Sequence, residues 1–359
     1  MSNRRIQITG AWRDGLYAGK HSPPGLSTEG CFFLAILGIL AVALVGLFLF
    51  LSAGATVNPN ALPTAESQVI YLVVPGAAPT RAVPATAPTR AAPTLTPRPA
   101  GKPPADLNGI PFNQIIVVSD PARQRIRQIY AQGQAAGRNS RAFARVGDST
   151  MVYPPFLAAF EDPGGYKLGP YDYLQPAIAY FAGSFGHNSP AVKKGMHTWT
   201  EFDPTWNNPD LCQPGETPLA CEFRLTNPSV VIIRLGANDV PEPASFKVEL
   251  EKILDFWIGK GVIPIVGTKP DRQDADNSIN NIVRQTAVTY RIPLWDYDAV
   301  VGTIPGRGLE ADHVHMRGGG SHDYTAPSTL SGGDSVEDLT ALMMLEAVRR
   351  EMVAGSTQP

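Results

Sequence analysis

Residues 31–51 (CFFLAILGILAVALVGLFLFL) carry no charged side chain, and such a run divides the chain before anything else can be decided. At about 1.5 Å per residue, a helix of this length crosses about 30 Å of hydrocarbon, so the segment reads as one transmembrane helix. Arg4, Arg5, Arg13 and Lys20 precede it against Asp14 and Glu29, and no Lys or Arg follows until Arg81. The basic flank, residues 1–30, is therefore expected in the cytoplasm and the C-terminal bulk outside the cell. A cleaved signal peptide is the competing reading, because Ala53-Gly54-Ala55 has the small side chains of a cleavage site.

Residues 52–105 turn to Pro, Ala and Thr, with no apolar periodicity (AAPTRAVPATAPTRAAPTLTPRPAGKPP over 77–104). Proline at that density favours polyproline II, and the segment reads as a disordered, semi-rigid stalk without a core of its own. Residues 69–74 (VIYLVV) are its one apolar stretch and receive no function. The remaining residues, 106–355, form one domain. A net charge of -2 leaves no basic surplus for a phosphate backbone, so nucleic acid is not an expected partner. Of the three cysteines, Cys31 lies in the apolar run, while Cys212 and Cys221 flank a turn-rich loop. A disulfide between them suits an oxidising compartment; two buried thiols are the alternative.

From residue 106 onward short apolar runs alternate with helical periodicity, which predicts an α/β fold with a mainly parallel sheet. Ser119-Asp120-Pro121 supplies a cap and a first-turn proline for a helix carrying Ile126, Ile129 and Tyr130. Strands are expected at 142–146, weakly at 191–194, and at 229–235, 262–266 and 292–295. Phe246, Leu250, Ile253, Leu254 and Trp257 mark one intervening helix, and Ile279, Ile282, Val283 and Tyr290 another. A final helix is expected from near Ser335. Ligands of such sheets bind at the carboxyl ends of the strands.

Two of these strands end in residues that can do chemistry. Gly147-Asp148-Ser149 closes the first, and a serine on a strand-to-helix turn presents its hydroxyl at the sheet edge with its N–H available to an oxyanion. The same triplet recurs at Gly333-Asp334-Ser335, but after a loop, with Ser335 three residues before Asp338 as in a capping box. Gly236-Ala237-Asn238-Asp239 closes the other strand and brings the Asn238 amide to the same edge. Further on, Asp312 and His315 stand three apart, a spacing at which a carboxylate can fix an imidazole tautomer and leave the other nitrogen as a base. His313 sits too close to Asp312 for the two to converge well. Asp312, His313, His315, His322 and Asp323 together also make a conceivable metal cluster. His187 and His197 lie in a polar stretch and read as local hydrogen-bonding residues.

In this order the four blocks resemble the SGNH/GDSL hydrolases, and the resemblance covers residues 115–352. It implies a flavodoxin-like three-layer α/β/α sandwich and a serine esterase or lipase, acting on ester bonds without cofactor or metal. Ser149 would be the nucleophile, His315 the base and Asp312 its partner. Ser149, Gly195 and Asn238 would hold the oxyanion. Gly195 in KKGMHTW best matches the family's glycine, with Gly183 and Gly186 nearby and the usual Asn-x-Gly lead missing; Asn188-Ser189-Pro190 stands in loosely. Residues 198–227, which contain the cysteine pair, exceed what a minimal member needs and are expected to shape the rim of the site. The expected substrate is an acyl ester outside the cell, either an O-acetyl ester of a glycan or a lipid ester. The rival is a non-catalytic surface module of the same fold that binds carbohydrate or a protein.

Overall fold

A computed structural model describes residues 104–356 of the protein. The cytoplasmic flank (1–30), the apolar run (31–51) and all but the last two residues of the stalk (52–105) lie outside the described residues. Among the described residues no helix is long and apolar enough to cross a membrane.

The chain enters through an antiparallel hairpin, β1 (Asp106–Leu107) and β2 (Ile110–Pro111). Asn108 and Gly109 turn it at φ 52° and 81°, the left-handed pair that a two-residue hairpin requires. A single turn, α1 (Phe112–Ile115), leads to β3 (Ile116–Val117). Next come α2 (Asp120–Ala135), β4 (Asn139–Gly147), α3 (Ser149–Val152), α4 (Gln175–Tyr180) and α5 (Pro218–Thr226). The second half alternates regularly: β5 (Pro228–Arg234), α6 (Pro243–Gly259), β6 (Ile263–Gly267), α7 (Ser278–Tyr290), β7 (Leu294–Trp295), α8 (Tyr297–Val301) and α9 (Gly333–Ser356).

Five strands form one sheet in the order β3-β7-β6-β5-β4, parallel except for β3. From β4 to β7 each strand lies beside its predecessor, so right-handed crossovers put α5, α6 and α7 on one face, while α3 and α4 pack in the cluster on the other through Met151 and Ile178. The core agrees. On the first face Val231 and Ile233 share a cluster with Leu219 of α5, Phe246, Leu250 and Trp257 of α6, and Ile279 and Val283 of α7. Val230 and Ile232 point the other way, into Ile126 and Ile129 of α2 and Leu339, Leu342 and Leu345 of α9. The sandwich thus has three layers, with β5 buried along its whole length.

The elements read from periodicity are present, with ends shifted by a few residues. Ser119 caps α2, its Oγ accepting from Ala122 N at 3.4 Å. The weak strand at 191–194 is reduced to one parallel bridge, Val192 to Gly147, because Lys193 and Lys194 are exposed and the segment turns at Gly195. The capping box at Ser335 does not form. Helix α9 starts two residues earlier, at Gly333, and Ser335 Oγ donates to Thr329 O at 3.0 Å. The Asp338 carboxylate instead accepts from Leu157 N at 2.8 Å and pairs with His322 Nε2 at 3.0 Å.

Candidate active site

The turn after β4 is shaped by close packing. A Cβ on Gly147 would stand 2.3 Å from Met151 Sδ and 3.0 Å from Arg234 O, so only glycine lets α3 fold back on the sheet. Asp148 caps that helix: its Oδ1 accepts from Thr150 N (2.9 Å) and Thr150 Oγ1 (2.8 Å), and its Oδ2 from Ala237 N (3.3 Å). The carboxyl is buried, and that burial pushes its pKa up against the stabilising bonds from Thr150. Ser149 is the first residue of α3 and stays partly exposed between buried Asp148 and buried Thr150.

The bond from Ala237 links the serine turn to the end of β5. Gly236, at φ 120°, makes the bend, and a Cβ there would lie 2.5 Å from Ile279 Cγ2. Two residues on, Asn238 Nδ2 donates to Met196 O at 2.8 Å. Asp239 Oδ1 accepts from Thr198 N at 3.1 Å and Thr198 Oγ1 at 2.8 Å. The loop carrying Gly195 is therefore clamped to the β5 turn at Met196 and at Thr198. Gly195 itself is exposed, with φ 79°. Among the described residues neither its N–H nor that of Ser149 has an acceptor. Asn238 keeps its second amide hydrogen for another partner.

A carboxylate separates the three glycines by their N–H groups. Glu161 Oε1 accepts from Gly183 N and its Oε2 from Gly186 N, both at 2.9 Å, so those two donors are committed elsewhere and Gly195 is the open one. Ser189, in the loose Asn-Ser-Pro match, instead serves the strand, its Oγ donating to Arg145 O at 2.8 Å.

Asp312 and His315 pair as their spacing predicts. Asp312 Oδ1 accepts from Val314 N (2.9 Å) and His315 N (3.1 Å), folding the turn, while Oδ2 meets His315 Nδ1 at 2.7 Å. The bond from the His315 side chain, and then those two N–H groups, lower the Asp312 pKa to about 2. His313 takes the left-handed position of the turn, φ 59°. A short antiparallel bridge, Leu309 to Met316, closes the hairpin that holds the pair. Beyond it, the chain meets the residues that follow α3: a Cβ on Gly318 would lie 3.4 Å from Pro154 Cβ and 3.5 Å from the Tyr153 ring. The residues leaving His315 thus run against those leaving α3.

The conceivable metal cluster is dispersed. His322 turns to Asp338 and Asp323 to Lys167 (2.7 Å), away from the Asp312–His315 pair. Cys212 and Cys221 are joined in a disulfide, so their sulfurs are not thiolate ligands beside Glu216. His187 Nε2 meets buried Glu222 at 2.9 Å, and His197 Nδ1 lies 3.7 Å from Asp239 Oδ1.

Several supporting residues escaped the sequence reading. Arg234 is buried, paired with Glu337, and donates from Nη2 to Thr150 O at 2.8 Å, so it fastens α3 from beneath. An arginine in an otherwise apolar strand was the available signal. Glu161 and Thr198 gave none, since each acts on a partner distant in sequence.

No protein-family model matches the chain, and no curated protein does. Among the solved structures that it is similar to are the following two. One is a G-D-S-L family protein from Desulfitobacterium hafniense DCB-2, at 16% identity over 57% of this chain and 99% of that one, with a TM-score of 0.36. The other is TesA, at 18% identity over 56% and 99%, with a TM-score of 0.35. Both likenesses concern the fold alone. In the order of its four blocks the chain is similar to the SGNH/GDSL hydrolases.

Proposed function

We propose that the protein is a serine esterase, held to a membrane by residues 31–51, with its folded domain on the outer side, and that it hydrolyses acyl esters of a glycan or a lipid. Ser149 Oγ attacks the carbonyl carbon as its proton passes to His315 Nε2. Asp312 keeps Nδ1 protonated and balances the imidazolium that results. The N–H groups of Ser149 and Gly195 and the amide of Asn238 receive the oxyanion. As the intermediate collapses, His315 returns its proton to the departing alcohol. Water, deprotonated by His315, then attacks the acyl-enzyme, releasing the carboxylic acid and restoring the Ser149 hydroxyl.

One observation carries this reading: the 2.7 Å bond from His315 Nδ1 to Asp312, which leaves Nε2 as the accepting nitrogen, on a hairpin whose exit lies against the exit of the Ser149 helix. The outward orientation draws on the basic flank before residue 31 and on the Cys212–Cys221 disulfide.

The test is hydrolysis of p-nitrophenyl acetate by the full chain in detergent. Ser149→Ala is expected to lower kcat by roughly 10⁴-fold or more with an unchanged circular dichroism spectrum, and to abolish labelling by a fluorophosphonate. A wild-type protein inert to aryl esters of every chain length and to the fluorophosphonate would instead favour a binding module.

A further inference from the structure

Among the described residues two aromatic side chains are strongly exposed, Tyr153 at 54% and Trp199 at 46%. Each stands four residues past a group of the proposed catalytic set, Tyr153 after Ser149 and Trp199 after Gly195. Neither is a stray surface residue. Tyr153 lies along Gly318, just past His315. Trp199 stacks on His197 with ring centroids 6.0 Å apart and 28° between planes, and meets Trp206 edge-on at 6.3 Å. Trp206 in turn closes on the glycine loop: a Cβ on Gly195 would be 3.8 Å from its ring, and Lys193 Nζ lies 5.6 Å from its centroid. The bonds from Asp239 to Thr198 hold this group beside Asn238.

An exposed indole costs solvation and is kept in place here by bonds on both sides of it, which marks the face as one that a ligand covers. The flat, electron-rich ring suits the C–H groups on one face of a pyranose, whose hydroxyls then reach polar neighbours such as Lys193 and His197. A long acyl chain asks for the opposite, an apolar channel. The cavity bordered by Met151 and Val152 of α3 has about 200 Å³, and apolar Phe156, Phe185 and Val192 line it together with Arg145 and His187. With a guanidinium and an imidazole in its wall, this small mixed cavity is not the extended apolar channel that a long chain needs.

We propose that Trp199, backed by His197 and Trp206, and Tyr153 on the opposite side form a saccharide-binding rim, so that the ester cleaved at Ser149 is a short acyl group carried on a glycan. The proposal rests on the serine-esterase reading and deepens it by naming the alcohol part.

The experiment compares O-acetylated xylo-, manno- and chito-oligosaccharides with p-nitrophenyl acetate, using the full chain in detergent. At least one acetylated sugar should exceed the aryl ester in kcat/KM. Trp199→Ala should then lower the ratio of sugar-ester to aryl-ester kcat/KM by about tenfold, mainly through KM, with Trp199→Phe recovering most of it. Residual aryl-ester turnover in the variants reports that they fold. An unchanged ratio in Trp199→Ala overturns the rim, as does a wild type that prefers long-chain acyl esters to every acetylated sugar. Failure of wild type on the aryl ester itself, with no fluorophosphonate labelling, strikes the esterase reading instead and is thereby distinguished.

Discussion

One Nδ2 hydrogen of Asn238 holds Met196 O, and in the proposed mechanism the other meets the developing oxyanion. Removing Asn238 therefore withdraws a donor and loosens the glycine loop together. Asn238→Ala is expected to cut kcat on p-nitrophenyl acetate by about 10²–10³-fold, the usual loss for one oxyanion donor. KM should change less, which steady-state kinetics of the pure variant will check. A second residue-scale consequence concerns Glu201. It is fully buried, neither carboxylate oxygen has a partner among the described residues, and its pKa is raised well above the ordinary range by burial and by the charges of Glu222, Asp148 and Asp239. Because the folded value is the higher one, the unfolded chain loses this proton first as pH rises. The contribution to stability is thus greatest in acid and falls as pH rises from about 4.3 towards the folded value, by at most about 1.4 kcal/mol per pH unit. Glu201→Gln should match wild type in thermal denaturation near pH 4 and exceed it at pH 8. The Asp312–His315 pair and the turn at Ser149 were legible because their spacing is local: the first two are three apart, and Gly147 to Ser149 are contiguous. Which of Gly183, Gly186 and Gly195 keeps its N–H unbonded among the described residues was not legible. That turns on Glu161, which reaches the first two across 22 and 25 residues, a separation at which periodicity carries no signal.

At the scale of elements, the segment between α4 and β5 departs most from regular structure. Thr198 to Phe202 and Pro204 to Trp206 form short 3-10 turns, followed by the loop that Cys212 and Cys221 close. Arg224 reinforces that loop, bonding Glu216 and Leu211 O. With so small a ring, the disulfide should contribute about 2–3 kcal/mol through the restricted unfolded chain. The double variant Cys212→Ser, Cys221→Ser should lose that amount in urea titration, and the loss should equal that of the reduced wild type. The regular elements were readable from apolar spacing, as in α6, where Phe246, Leu250, Ile253, Leu254 and Trp257 are all buried. The turns around Trp199 and Trp206 were not, since short 3-10 pieces are set by contacts with Asp239 and with each other.

For the whole molecule, the parallel sheet followed from the strand–helix alternation, but the antiparallel edge strand β3 did not. Ile116 and Val117 are too few to register as a strand in the sequence, and they are placed by pairing with Trp295 and Leu294. The layers then follow from the strand order. Successive neighbours commit α5, α6 and α7 to one face, leaving the other to the first long helix and the last.

The disulfide-closed stretch between the glycine loop and β5 enters the domain where Asp239 grips Thr198 and leaves it where Asn227 O accepts from Asn139 N at 2.8 Å. Between the two junctions α5 belongs to the core through Leu219, whereas residues 209–211 and 213–215 are exposed. That exposed arc is where the domain tolerates insertion or replacement, since its length can change without moving α5 from the core or Thr198 from Asp239.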